Sequence, residues 1–204
     1  MAKRLIKLKI NIPNLLVIFR IVLIPVFLFF YLSISPGDLM FRTIAFAIFV
    51  IAAVSDFFDG YLARKWKTVS AFGQLMDPLA DKMLVSAAMI ALASSQELAA
   101  WVVVLIICRE FWVTALRLLA LEQGRDVISA SIWGKIKTVL QIVMIGSLLA
   151  GLGTSDFIFF FIPLPFDVLA VGAVISITLV YLALIATIFS AYEYTKNAKD
   201  VFLQ

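Results

Sequence analysis

The sequence contains no histidine and a single cysteine, Cys108. Without histidine, the chain lacks the most common general base and the most common transition-metal ligand. A lone cysteine excludes an internal disulfide and a cysteine-based metal site. Charged residues are also scarce, since they make up 15% of the 204 residues whereas 64% are hydrophobic. This balance differs from that of a soluble domain and predicts an integral membrane protein.

The apolar residues fall into long stretches, each approaching the roughly 20 residues that a helix needs to cross a bilayer. Six such stretches cover residues 12–32, 40–61, 74–93, 98–121, 132–153 and 168–192. They lack the alternation expected of a β-barrel, and helices satisfy their own backbone groups in lipid. The sequence therefore predicts an all-α bundle of six transmembrane helices, forming one domain over residues 1–204.

The basic residues between these stretches predict the orientation in the membrane. They lie before the first stretch (Lys3, Arg4, Lys7, Lys9), after the second (Arg64, Lys65, Lys67), between the fourth and fifth (Arg125) and after the sixth (Lys196, Lys199). By the positive-inside rule, both termini are expected in the cytoplasm. The basic and apolar residues at the N-terminus leave two interpretations open: an amphipathic segment along the anionic inner leaflet, or a simple determinant of topology.

Four aspartates lie on either side of the loop between the second and third stretches. Asp56 and Asp59 are three residues apart, and Asp77 and Asp81 are four apart, so each pair projects from one helix face. Clustered carboxylates repel one another unless cations neutralise them, and an all-oxygen ligand set suits Mg²⁺ or Mn²⁺. Isolated charges at helix ends commonly reach the membrane surface without a function, but four aspartates at this spacing would be costly for anchoring alone.

Small residues and one arginine accompany the aspartates. Gly60, Gly73 and Ala63 leave room for backbone or substrate to approach closely, and Arg64 supplies a cationic fork for phosphate. The segment therefore predicts a site for a phosphate-bearing ligand bound through metal ions.

The same segment matches a nine-position signature, DxxDGxxAR followed after eight residues by GxxxDxxxD, as DFFDGYLAR over residues 56–64 and GQLMDPLAD over residues 73–81. In this it resembles the CDP-alcohol phosphotransferase family. The resemblance implies six transmembrane helices in the cell (inner) membrane, usually a homodimer, and an active site facing the cytoplasm. It also implies a two-metal Mg²⁺ or Mn²⁺ site and transfer of a phosphatidyl or similar group from a CDP-linked donor to an alcohol, with release of CMP.

The resemblance also implies roles for individual residues. Asp56, Asp59 and Asp77 would be metal ligands, and Asp81 would be the general base while also contacting the second metal. The pocket for the CDP-lipid would be lined by Asp56, Gly60, Ala63, Arg64 and Gly73.

Four further cationic residues lie on the predicted fourth and fifth helices: Arg109, Arg117, Lys135 and Lys137. Arg109 lies well inside its span and needs a partner. Glu110 is not on the same helix face and is expected to be a poor partner, while pairing with an aspartate of the signature stays open. Two arginines and two lysines near a metal site predict a pocket for the phosphate of an anionic acceptor.

The segments around these cations, and residues 11–15 with Arg20, resemble the branch of the family that uses glycerol 3-phosphate. This resemblance implies CDP-diacylglycerol as donor and sn-glycerol 3-phosphate as acceptor, with membrane lipids as surroundings and no nucleic acid as partner. Another acceptor, such as serine, an inositol phosphate or phosphatidylglycerol, is the alternative within the family. A cation transporter or channel is the alternative from another class, but it predicts acids near the bilayer midplane and repeated or broken helices.

Overall fold

The computed structural model describes residues 12–33, 38–66, 71–123, 132–152 and 166–198. Within these ranges, the side chains of residues 12–14, 16, 56–66, 71–79, 81, 121 and 166–169 are outside the description. The basic N-terminal residues 1–11, for which two interpretations were open, also lie outside the described residues.

The described residues form six helices and no strand: α1 (Ile12–Leu32), α2 (Leu39–Trp66), α3 (Ala71–Ser94), α4 (Ala100–Glu122), α5 (Ile132–Leu149) and α6 (Phe166–Asn197). The prediction of an all-α protein with six helices is therefore confirmed for this part of the chain. Helix α1 contains Pro25, which a membrane helix tolerates because neighbouring groups satisfy the backbone that proline leaves unpaired. Helix α1 packs mainly against α2 and α3, while α6 packs mainly against α5 and α4.

Among the residues whose side chains are described, two helical segments are long and apolar enough to cross a membrane, namely all of α5 and residues Ala170–Asn197 of α6. Shorter apolar runs lie in the first three helices at Val17–Leu32, Leu39–Ser55 and Lys82–Ser94. The apolar run of α4 is interrupted by Arg109, Glu110 and Arg117.

The core and the outer surface of the bundle are both apolar. Large buried side chains such as Phe27, Phe49 and Met89 fill the interior, with buried alanines including Ala52 and Ala88 between the helices. Small residues let membrane helices approach closely. Large apolar side chains also cover the outside, with Phe111 71% exposed. An apolar exterior of this kind is suited to contact with lipid.

Hydrogen bonds and an ion pair connect the helices at the end of the bundle where α2 begins. We call Arg42, Tyr31, Glu97 and the carbonyls of Leu148 and Leu149 the far-end cluster. The buried Arg42 guanidinium donates to the two carbonyls at 2.8 and 3.0 Å and pairs with Glu97 at 2.5 Å. The Tyr31 hydroxyl also donates to Glu97, at 3.3 Å. A cation at the last carbonyls of α5 satisfies acceptors that have no partner within the helix.

Helices α3 and α5 end with residues in the left-handed backbone conformation. After α5 this residue is Gly151, with a φ of 71°, and after α3 it is Gln96, with a φ of 64°. The turn at α3 is closed by bonds from the Gln96 N–H to Ala93 and from the next N–H to Leu92. Glycine adopts this conformation freely, whereas glutamine must strain to do so, so the turn after α3 carries a local cost.

Candidate active site

Four helices, α3 to α6, enclose a cavity of about 460 Å³ that we call the cationic cavity. Among the residues whose side chains are described, its lining includes five cations and one carboxylate, an excess of four positive charges: Lys82, Arg109, Arg117, Lys135, Lys137 and Glu110. All four cations assigned to an acceptor pocket from the sequence thus lie around one space. A cavity with this excess of positive charge is suited to an anion.

Glu110 forms ion pairs with two of the cations that line the cavity. Its carboxylate forms ion pairs with Lys137 and, at 3.2 Å, with Arg109, and the three side chains are between 5% and 17% exposed. The expectation that Glu110 would be a poor partner for Arg109 was therefore wrong. Adjacent residues on a helix point about 100° apart, but the long arginine side chain spans that angle.

The two arginines are held from α6. Arg109 donates to the Ser190 hydroxyl, and Arg117 donates to the hydroxyl of Tyr194. Both guanidinium groups also lie over the Tyr194 ring, with their carbons 5.5 and 5.1 Å from its centroid. Tyr194 is 2% exposed, so the end of α6 forms a fixed wall of the cavity.

Lys82 connects the cavity to the aspartate signature. It donates to the Thr114 hydroxyl, which in turn donates to the Glu110 carbonyl at 2.7 Å. Because Lys82 directly follows Asp81 on α3, the wall of the cavity begins at the residue after the last aspartate of the signature. The cavity and the signature are thus adjacent along one helix.

The signature residues themselves are described only at the level of the backbone. Asp56, Asp59, Gly60, Ala63 and Arg64 lie on α2, and Gly73, Asp77 and Asp81 lie on α3. Their side chains lie outside the described residues, so their predicted roles stay predictions. Among the residues whose side chains are described, no group of three or more potential metal ligands occurs. The four carboxylates on α2 and α3 form a donor set whose chemistry fits hard divalent cations.

A second, apolar cavity of about 370 Å³ runs between α2 and α5, and we call it the apolar groove. Its lining is Phe46, Phe49, Val50, Ala53, Val54, Ile142, Gly146 and Ala150. Along α2 the last described lining residue is Val54, two residues before Asp56. A Cβ atom added at Gly146 would meet nothing within 4 Å, so glycine leaves open space at that point.

Sequence reasoning missed several residues that line the cationic cavity or hold its arginines. Lys82 could have been found, because it adjoins Asp81 in the signature. Thr114, Ser190 and Tyr194 carry no motif, and only the packing of α6 against α4 brings the last two to the arginines. No feature of the sequence separates the buried Tyr194 from the exposed Tyr192.

Together, the fold and cavity define an all-helical protein with an apolar exterior and a site suited to anions. The sequence pattern of the CDP-alcohol phosphatidyltransferase family matches residues 10–190, and the chain belongs to this family. The resemblance found in the aspartate signature is thereby confirmed. The family generally uses divalent metal ions.

Curated relatives match along nearly the full chain. A protein of Bacillus subtilis (strain 168) is 39% identical over 92% of this chain and 95% of its own length. A protein of Haemophilus influenzae is 38% identical over 96% and 97%, and one of Rickettsia bellii is 36% identical over 96% and 99%. All three are named CDP-diacylglycerol--glycerol-3-phosphate 3-phosphatidyltransferase.

Proposed function

We propose that this chain transfers the phosphatidyl group of CDP-diacylglycerol to sn-glycerol 3-phosphate, forming phosphatidylglycerophosphate and releasing CMP. This reaction belongs to the synthesis of phosphatidylglycerol. The proposal is supported by a cavity whose described lining residues carry an excess of four positive charges, in a chain similar over nearly its whole length to enzymes named for this reaction.

The charge of the cavity favours an acceptor that itself carries a phosphate. Lys135, Lys137, Arg109 and Arg117 would bind that phosphate, with charge-assisted hydrogen bonds from the two guanidinium groups. An uncharged or zwitterionic alcohol would leave the excess of positive charge uncompensated. Glycerol 3-phosphate satisfies this requirement, whereas serine does not.

The aspartate signature would hold the donor. Asp56, Asp59 and Asp77 are proposed as ligands of two divalent ions, Mg²⁺ or Mn²⁺, because their donor set is entirely oxygen. When bound, such ions withdraw charge from the pyrophosphate and stabilise the leaving CMP. Arg64 would bind a donor phosphate, and the small residues Gly60, Ala63 and Gly73 would line the CDP pocket with Asp56.

Asp81 is the proposed general base. It would accept the proton of the acceptor hydroxyl while that oxygen attacks the phosphorus that carries the diacylglycerol. The bond from this phosphorus to the bridging oxygen then breaks, and CMP leaves with that oxygen. With no histidine in the chain, a carboxylate is the natural base, and Asp81 directly precedes a lining residue of the cationic cavity.

The apolar groove is proposed to hold an acyl chain of the donor. Its described lining residues are all apolar, and along α2 they reach to within two residues of Asp56. A lipid whose head group lies at Asp56 would therefore extend an acyl chain along α2 and α5, entering sideways from the bilayer. Hydrocarbon is the occupant that such a surface favours.

The membrane arrangement follows from the same proposal. All six helices would cross the cell (inner) membrane, with both termini and the active site at the cytoplasmic face. Basic residues before α1 and after α6 support this orientation through the positive-inside rule. A homodimer is proposed from the family resemblance.

An acceptor panel tests the proposal directly. Purified protein in detergent would receive CDP-diacylglycerol, Mg²⁺ and one acceptor at a time: glycerol 3-phosphate, serine, inositol phosphate, phosphatidylglycerol or none. We expect CMP release with glycerol 3-phosphate alone, lost on chelation of the metal and restored by Mg²⁺ or Mn²⁺. An Asp77→Asn variant provides the inactive control.

Release of CMP with another acceptor instead would reassign the substrate within the family. No CMP release with any acceptor, together with metal-dependent ion flux in vesicles, would favour the transporter alternative.

A further inference from the structure

Tyr194 contacts both arginines of the cationic cavity. Its hydroxyl accepts a hydrogen bond from Arg117, and its ring lies beneath the guanidinium groups of Arg109 and Arg117 at 5.5 and 5.1 Å. Among the residues that the structure describes, Tyr194 is the one hydrogen-bond partner of Arg117. The residue lies just beyond the part of the chain that the family pattern matches.

Placing two guanidinium groups over one buried ring costs free energy, which other interactions must offset. Like charges repel strongly where water is excluded, and each long arginine side chain has many competing conformations. The negative face of an aromatic ring attracts cations, and a hydroxyl oxygen fixes the direction of a guanidinium N–H. Tyr194 supplies both interactions from one buried side chain, while Ser190, one turn earlier on α6, fixes Arg109.

We propose that Tyr194 is a positioning residue that sets the affinity of the site for the phosphate of the acceptor. It holds Arg109 and Arg117 together before the acceptor binds, so the arginine side chains lose less conformational entropy when the phosphate binds. The inference rests on the proposed function, because it concerns the same acceptor site. It assigns no contact between Tyr194 and the reacting atoms.

The test separates the hydroxyl from the ring. Tyr194→Phe keeps the ring and removes the hydrogen bond to Arg117, and Tyr194→Leu removes both. We expect the KM for glycerol 3-phosphate to rise about three- to tenfold in the first variant and about ten- to a hundredfold in the second. The KM for CDP-diacylglycerol and the kcat of the phenylalanine variant should stay within about twofold of wild type.

Tyr192→Phe is the matched control, since this tyrosine is two residues away on α6 and 65% exposed. Its KM for glycerol 3-phosphate should equal that of wild type. An unchanged KM in both Tyr194 variants, or a fall in thermal stability and kcat with KM unchanged, would overturn the proposal. Either result would show that Tyr194 only packs.

Calorimetry with inorganic phosphate separates this inference from the proposed function. Failure of the proposed function is seen in the wild-type protein, as no CMP release that depends on glycerol 3-phosphate. Phosphate affinity requires no turnover, and we expect Tyr194→Phe to weaken it about three- to tenfold, whereas Tyr192→Phe does not. Equal phosphate affinity in the two variants would refute the role of Tyr194.

Discussion

Replacing Lys137 by methionine should destabilise the protein by breaking its ion pair with Glu110. The Lys137 and Glu110 side chains are 5% and 17% exposed, so the change leaves a largely buried carboxylate without one of its two cationic partners. Removing one member of a fully buried pair costs about 3–5 kcal/mol. Because Glu110 retains Arg109 at 3.2 Å and some solvent, we expect a loss of about 2–4 kcal/mol.

A second substitution tests whether this cost arises from the pair. In the double variant Lys137→Met with Glu110→Gln, both charges of the pair are removed and the buried Arg109 loses its ion pair with Glu110, so stability should return to within about 1–2 kcal/mol of wild type rather than fully. Arg109 keeps its hydrogen bond to Ser190 and its place over the Tyr194 ring in that variant. Activity should not return, because one of the proposed phosphate-binding cations remains absent.

Thermal unfolding in detergent, followed by circular dichroism, measures the first effect. The single variant should unfold roughly 4–16 °C below wild type, since each kcal/mol shifts the midpoint by about 2–4 °C in a chain of this length. Lys135→Met is the matched control, because Lys135 lies two residues away and is exposed, and its midpoint should not change. A double variant as unstable as the sum of the two single variants would refute the reasoning, since the two side chains would then not act as a pair.

Further predictions concern the acceptor, the base, the donor and a helix end. Lys135→Ala should raise the KM for glycerol 3-phosphate about two- to tenfold without changing the KM for CDP-diacylglycerol, and the reverse pattern would show that the two pockets are wrongly assigned. Asp81→Asn should lower kcat by roughly 10²–10⁴-fold while donor affinity, measured by calorimetry, stays near normal; joint loss of metal and donor would make Asp81 primarily a ligand. Gly146→Leu should fill the apolar groove and raise the KM for long-chain CDP-diacylglycerol more than the KM for short-chain CDP-diacylglycerol. Gly146→Ala fits the open space and should have little effect on either KM. An equal change in KM for both donors in the leucine variant would show that the groove does not hold the acyl chain. Gln96→Gly should raise stability by about 0.5–1 kcal/mol, because glycine adopts the φ of 64° without strain, and a lower unfolding midpoint would contradict this account.

Hydropathy predicted the number of helices and most of their positions, but not where α2 and α3 meet. The predicted spans stop at residue 61 and resume at 74, whereas α2 continues to Trp66 and α3 begins at Ala71. A span predicted from hydropathy ends at the first charged residues, whereas a helix continues for as long as its backbone hydrogen bonds continue. The signature residues therefore lie within helices, beyond the limits that apolar composition suggests.

The sequence predicted the site residues that are charged and lie inside apolar helices. It did not predict the residues that only tertiary packing brings to the site. Arginine and lysine inside apolar helices are rare enough to indicate the acceptor pocket from sequence alone. The partners of these cations are ordinary polar residues from distant helices, such as Ser190 and Tyr194, and only tertiary contacts distinguish them. The prediction that Arg109 and Glu110 would not pair, because they lie on different helix faces, also failed. Long, flexible side chains can reach beyond the direction in which their Cβ atoms point.

The far-end cluster has a consequence for the order in which the protein assembles. Its members come from separate parts of the chain: Arg42 from the first helical hairpin, Glu97 from the turn of the second, and the carbonyls of Leu148 and Leu149 from α5. In the proposed topology the first hairpin, α1 and α2, inserts with Arg42 at the non-cytoplasmic surface before Glu97 and the two carbonyls have been synthesised. The cluster can close only after α5 has crossed the bilayer, so it would form late in biogenesis and fasten helices that are already inserted.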